Sequence, residues 1–181
     1  VEGLTPWTYL ANQGWVILHY LRLCFWPAGQ CVDYGWGPAE SLSSILVPGL
    51  IVLALLVVTT WAFWKRPHWG FMGACFFLIL APTSSIVPIK DIAVEHRMYI
   101  PLAAVVVVVV VGAYAVGRRI TNNPHGVAVG VTVPASIIAV GLGVTTLLRN
   151  EVYESRVAFW NDVVEKSPEN QRGWYNLSKT S

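Results

Sequence analysis

Long apolar runs separated by short polar stretches set the pattern of this chain. Residues 45–64 are uncharged and end in Trp61, Phe63 and Trp64, with Lys65, Arg66 and His68 directly after. About 20 apolar residues cross a bilayer as a helix, and an aromatic belt with a positive flank marks where such a helix meets water. Residues 69–89 form a second uncharged run, with Pro82 and Pro88 bending it as it leaves the membrane. Residues 99–117 hold seven consecutive valines, at 105–111. In water a valine run suggests a buried strand. In lipid a lone strand leaves its backbone groups unsatisfied, so the pattern predicts a helix, closed by Arg118 and Arg119. Residues 127–148 make the last span, with Gly130, Gly141 and Gly143 inside it and Arg149 at its end. Small residues there permit close helix contact, or reflect the general frequency of Gly in membrane helices.

The first apolar stretch, 5–26, differs because it contains Asn12, Gln13, His19 and Arg22. It either crosses the membrane or lies in its surface. Trp7, Tyr9, Trp15, Tyr20 and Trp26 are expected at the interface, where Trp and Tyr concentrate. The fold class is therefore all-α. It is a polytopic membrane helix bundle of four to five spans over residues 1–149, followed by the start of a soluble helical segment over 150–181.

Between the runs, residues 28–44 read as a loop rich in turn formers, with Ser43 or Ser44 capping the next helix. The polar tail places Val157, Phe159, Trp160, Val163 and Val164 on one helical face. Ser167, Pro168, Glu169 and Asn170 break that helix, and Trp174, Tyr175 and Leu177 open another. The tail resembles a tetratricopeptide repeat, with Pro168 as the closing proline of one unit and Trp174 to Ser178 as the opening of the next. A generic helical hairpin also fits. One repeat cannot bury its own face, and the chain opens on Val1 without an initiator Met, so a piece of a longer protein is expected.

Composition agrees with this reading. Hydrophobic residues are 55% and charged residues 12%, against about 25% charged in soluble domains. Mean hydropathy is +0.54. A net charge of +2 gives no reason to expect nucleic acid. Cys24, Cys31 and Cys75 form no metal-ligand pattern; Cys24 and Cys31 can pair only in an oxidising compartment. Two crossings separate Lys65 and Arg66 from Arg118 and Arg119, which puts both pairs on one side, the cytoplasmic one by the positive-inside rule. The 82–101 segment, the 28–44 loop and the tail then lie together on the extracytoplasmic side. Asn176-Leu177-Ser178 is an N-glycosylation sequon, to which no role is assigned.

The candidate chemistry gathers in 82–101, PTSSIVPIKDIAVEHRMYIP. Lys90, Asp91, Glu95, His96 and Arg97 crowd into eight residues beside lipid. Lys90, His96 and Arg97 suit a lipid phosphate, Arg because its planar fork donates two parallel hydrogen bonds. Asp91 and Glu95, four apart, share a helix face. They can orient the bases, act as acid or base, or with His96 hold a divalent metal, for which no second His gives support. A solvated loop with internal ion pairs is the plainer alternative.

Three segments carry a family resemblance. The run PTSSIVPIKDIAVEHRMYIPLAA, above all Glu95 to Pro101, is similar to the loop-to-helix motif of TMTC-like membrane glycosyltransferases of the GT-C type, which carry tetratricopeptide repeats. HYLRLCFWPAGQCVDYGW and RNEVYESRVAFWNDVVEKSPENQRGWYNLS resemble earlier and later parts of the same family, in the same order. The resemblance implies transfer of a sugar, often mannose, from a polyprenyl-phosphate carrier to protein hydroxyls at an extracytoplasmic site. It places Glu95 and Arg97 in the donor-side loop, with the repeat segment engaging a protein acceptor or partner. The family's acidic catalytic motif, in a first extracytoplasmic loop, has no clear counterpart here; Asp33 lies on the correct side, but its Gly-Trp-Gly surroundings indicate a structural role. A non-catalytic integral membrane subunit of a larger complex is the alternative function.

Overall fold

The computed structural model describes residues 5–39, 41–82, 84, 92–93 and 95–180, and of Glu95 and His96 the backbone only. Among these residues every regular element is a helix, with no strand. α1 (Pro6–Phe25) starts where the Thr5 hydroxyl accepts from the Thr8 N–H, with Pro6 in the first turn, where a missing N–H costs nothing. α2 (Leu42–Lys65) is capped by Ser41, whose Oγ accepts from Ser44 N–H at 3.2 Å. The expected caps, Ser43 and Ser44, lie inside the helix instead. Ser41 is the last extended residue before the helical run, and an N-cap needs that conformation.

α3 (Pro67–Leu80) follows a one-residue turn at Arg66. The run expected to extend to 89 stops being helical at Leu80, and Pro82 follows one residue beyond the C-cap. Pro82 offers no N–H to carry the ladder on, although Ala81 before it keeps helical dihedrals, φ −51° and ψ −44°. Residues 83 and 85–89 lie outside the described residues. α4 (Tyr99–Ile120) makes the valine run a helix, entered through a 3-10 turn, Glu95–Met98. α5 (Pro124–Asn150) is capped by Asn123, which accepts from Gly126 N–H at 3.0 Å. A 3-10 turn at Glu151–Tyr153 leads to α6 (Arg156–Lys166) and α7 (Gln171–Thr180).

Each of α1 to α4 packs on the next in sequence, and α6 on α7. The α2–α3 hairpin is held tight by Gly70, where a Cβ would stand 2.2 Å from the Phe63 backbone. α2, α4 and Pro124–Tyr153 are long and apolar enough to cross a membrane. Most of their apolar side chains face outward: Pro48 is the one buried residue of α2 and Val127 the one of α5. An exposed apolar surface of this extent suits lipid, not water. α3 is shorter, 14 residues, or about 21 Å at 1.5 Å per residue.

The core sits at one end of the bundle. Val16, Ile17 and Tyr20 of α1 meet Cys31 and Tyr34, the C-terminal residues Phe76 and Leu80 of α3, then Ile92, Ala93, Met98, Ala104 and, from the tail, Val163. α1 runs across this end. Tyr9 near its start touches Arg97, Asn12 binds Ala39, Gly14 lies on Pro48 and Gly49, and Arg22 donates to the Ala28 carbonyl. All these partners belong to the same end. Trp7, Trp15 and Trp26 are exposed as expected, but Tyr9 and Tyr20 are buried completely. They share the α1 face with Gln13, Val16 and Ile17 at helical spacing, and that face is roofed by the tail and the 26–39 loop.

Candidate functional site

A cleft of about 540 Å³ opens at this end between α1, the loop and the first turns of α2. Trp15 and Trp36 both line it and pack on each other, with ring centroids 6.5 Å apart and planes inclined at 48°. Asn12, Ser43 and Ser44 supply polar groups, and Val47, Pro48 and Ile92 the apolar floor. The loop side of the cleft is held firmly. Trp36 is backed by Tyr34 at 4.7 Å and by the edge of His19 at 4.8 Å. Asn12 Oδ1 accepts from the Ala39 N–H at 2.8 Å, which fixes the loop to α1. Apolar walls with a few convergent polar groups are what small-ligand sites are made of.

Behind the cleft wall stands Arg97. Its Nη1 donates to the Tyr9 hydroxyl at 3.3 Å and to the Ile92 carbonyl at 3.5 Å. Ile92 lines the cleft, so the guanidinium is one hydrogen bond removed from it. Of the other residues singled out by charge, Glu95 and His96 belong to the 3-10 turn that carries Arg97. Lys90 and Asp91 lie outside the described residues. Gln13 Oε1 and His19 Nε2 are buried without a hydrogen-bond partner among the described residues. Such groups cost about 1–3 kcal/mol each if left unpaired.

Asp33 has a different use. Its carboxylate accepts from Gly35 N–H at 3.2 Å and from Arg172 Nε at 2.6 Å, and it is ion-paired with the same guanidinium. Asn170 Nδ2 donates to the Asp33 carbonyl at 3.0 Å. The tail is therefore seated on the loop, and Asp33 is committed to that seat. A second tie joins α5 to α6, where Arg149 donates from both Nη atoms to Asp162, each at 3.2 Å.

Cys24, Cys31 and Cys75 are free thiols. Cys31 Sγ faces the Asp33 carbonyl at 3.3 Å and Ser167 Oγ at 3.8 Å, which holds it on the tail side of the loop. Among the described residues no three His, Cys, Asp or Glu side chains converge on a metal position; the Asp91, Glu95 and His96 side chains are not among those described.

Sequence reasoning found Arg97 from its charge beside lipid. It missed the cleft, because Trp15 reads singly as an interface residue and Trp36 as part of an aromatic-acidic loop, and no periodicity links a helix to a loop. The abundance of Trp in 7–36 was the available signal. No protein-family model, curated protein or solved structure matches this chain.

Proposed function

We propose that this chain is the membrane-embedded C-terminal part of a polyprenyl-phosphate-sugar-dependent protein O-glycosyltransferase, and that it supplies the carrier-binding wall of the site. The observation that carries this reading is the cleft itself, lined by the Trp15–Trp36 pair, Asn12 and two serines, with Arg97 behind Ile92. Aromatic faces suit an isoprenoid or sugar ring, the hydroxyls and amide suit sugar oxygens, and a guanidinium suits a phosphate. Lys90 and His96 assist Arg97, while Glu95 and Asp91 orient them. Asp33, bound to Arg172, is not the acid for transfer, so this part does not act alone.

The reading includes four crossings, α2, α3, α4 and α5, with α1 lying along the surface. The Asp33–Arg172 contact supports this count. Loop 26–39 and the tail touch, so an even number of crossings separates them, and α3 completes the three longer helices. By the positive-inside rule the Lys65–Arg66 and Arg118–Arg119 turns are cytoplasmic and the cleft and tail extracytoplasmic. α6 and α7, with Gly173 seated on Val163 and Val164, form the start of a helical-repeat segment that receives the acceptor or another protein.

The test is a photoreactive polyprenyl-phosphate sugar analogue, added to membranes containing the native protein. Labelling is expected at 12–15 and 36–44, with competition by unlabelled carrier. Arg97→Ala is expected to abolish transfer while membrane insertion stays unchanged. Transfer that survives Arg97→Ala, with labelling elsewhere, rejects the carrier-binding role.

One observation favours the second reading, a non-catalytic subunit of a larger membrane complex. Gly130, Gly141 and Gly143 of α5 face open space, so a Cβ at each would meet nothing within 4 Å. Small residues on an uncovered membrane helix suit packing against another helix. Labelling that fails in the cleft while α5 crosslinks to a partner would select this reading.

A further inference from the structure

At the end of the bundle opposite the cleft, two tight turns carry positive charge alone. The α2–α3 turn presents Lys65, Arg66 and His68, and the α4–α5 turn presents Arg118, Arg119 and His125; all six are exposed. The two turns lie at the same end. Trp69, in the first turn of α3, comes within 3.6 Å of where a Cβ on Gly112 of α4 would stand. From Gly112 to Arg118 the helix advances about 9 Å.

Nothing within these segments neutralises the charge, because positions 41–90 and 96–150 contain no Asp or Glu. The Arg118 Nη1 donates to the Asn122 carbonyl at 3.2 Å. Lys65, Arg66 and Arg119 make no side-chain hydrogen bond or ion pair among the described residues. Trp61 and Trp64 project from the last turn of α2, the side chains that settle at headgroup depth. Cations at a helix C-terminus also complement the helix dipole. One per helix serves that purpose, and here two turns display four permanent cations.

We propose that this rim binds anionic phospholipid headgroups, drawn from the surrounding bilayer and held by Lys65, Arg66, Arg118 and Arg119. The guanidinium forks match phosphate oxygens in pairs, and the lipid tails lie against the apolar flanks of α2 and α4. Each basic residue near an anionic surface contributes enough for about a fivefold preference. The site is independent of the cleft and of sugar transfer.

The test is reconstitution of the protein into phosphatidylcholine nanodiscs doped with phosphatidylglycerol in both leaflets, so that orientation does not enter. Lipid retained after extraction into mild detergent is then counted by mass spectrometry. The expected result is phosphatidylglycerol enriched about fivefold or more over its share of the disc. The quadruple variant Lys65→Gln/Arg66→Gln/Arg118→Gln/Arg119→Gln is expected to lose that enrichment. The two double variants, one per turn, are each expected to lose part of it, and they keep the test valid where the quadruple variant fails to insert. Arg156→Gln/Lys179→Gln, in the tail, is expected to leave it unchanged. Equal retention of the two lipids, or enrichment undiminished in both double variants, overturns the proposal.

Discussion

Arg172 and Asp33, 139 positions apart, are joined by an ion pair and by an Nε–Oδ2 hydrogen bond of 2.6 Å. One lies in the last helix and the other in the loop after the first, so this contact seats the polar tail on the membrane bundle. Asp33→Ala removes the acceptor for both Arg172 and the Gly35 N–H. Arg172 is half exposed, so solvent screens much of the pair. The expected loosening is about 1–2 kcal/mol. It is expected as faster amide exchange through α6 and α7, with exchange in α2 and α4 unchanged. Arg172→Lys keeps the charge but not the fork and is expected to fall between. Tail exchange at the normal rate in Asp33→Ala would show that the apolar seat around Val163 suffices.

Gly35 makes the same seat from the other side. Its φ is +59°, and a Cβ there would stand 2.6 Å from Asn170 Cγ. Gly35→Ala therefore adds strain in the left-handed region, about 1–2 kcal/mol, and pushes Asn170 off the Asp33 carbonyl. A lower midpoint of thermal unfolding is expected, with greater protease cleavage between α6 and α7. Gly37→Ala is the control, since a Cβ at Gly37 meets nothing within 4 Å. Equal stability of the two variants would remove the steric argument.

The helices were legible because apolar runs bounded by cations leave few alternatives in lipid. The valine run at 105–111 needed that reasoning, since its composition alone points to a strand. Boundaries were harder. Ser41 and Ser43 are equally good caps by residue type, and only the backbone conformation before Leu42 separates them. α1 was ambiguous because its polar residues, Asn12, Gln13 and His19, are buried beneath a loop instead of facing water or lipid. Arg97 stood out by charge. Its partner Tyr9, 88 positions away, did not, and neither did the Trp15–Trp36 walls or the Asp33–Arg172 seat. Contacts of that range come from how helices stack, and local pattern does not encode them.

Tyr9 is buried completely, and its hydroxyl accepts from Arg97. Tyr9→Phe removes that acceptor and leaves the ring. A destabilisation of about 1 kcal/mol is expected, with the Arg97 turn exchanging faster. In the transfer assay the variant is expected to weaken carrier binding while leaving insertion intact, because Arg97 loses its anchor to α1 and not its charge. Wild-type carrier affinity in Tyr9→Phe would separate Arg97 from any positioning by Tyr9.

Trp15 is half exposed and lines the cleft, so the binding role proposed for it separates cleanly from any role in folding. Trp15→Ala is expected to change the unfolding midpoint little and to reduce labelling by the carrier analogue about tenfold, the loss of one aromatic wall worth about 1–1.5 kcal/mol. Trp36, backed by His19 and Tyr34, is expected to cost stability as well. Undiminished labelling in Trp15→Ala would place the carrier elsewhere.

The contact between loop and tail also bears on the proposed membrane crossing count. Three crossings between residues 26–39 and 156–180 would put them on opposite faces of the bilayer, yet Asn170 and Arg172 both touch Asp33. In the proposed four-crossing arrangement α3 traverses with α2, α4 and α5, although its 14 residues span about 21 Å of a hydrocarbon layer about 30 Å thick. A short crossing is accommodated by local thinning and by its neighbours, and α3 is flanked by α2 and α4. In sealed vesicles with Cys24, Cys31 and Cys75 replaced by Ala, single cysteines at Gly37 and Ser178 are expected to react with an impermeant thiol reagent from the same side. Cysteines at Arg66 and Arg119 are expected to react only from the other. Reaction of Ser178→Cys together with Arg66→Cys, on the side away from Gly37→Cys, would mean three crossings and would break the loop–tail contact in the membrane.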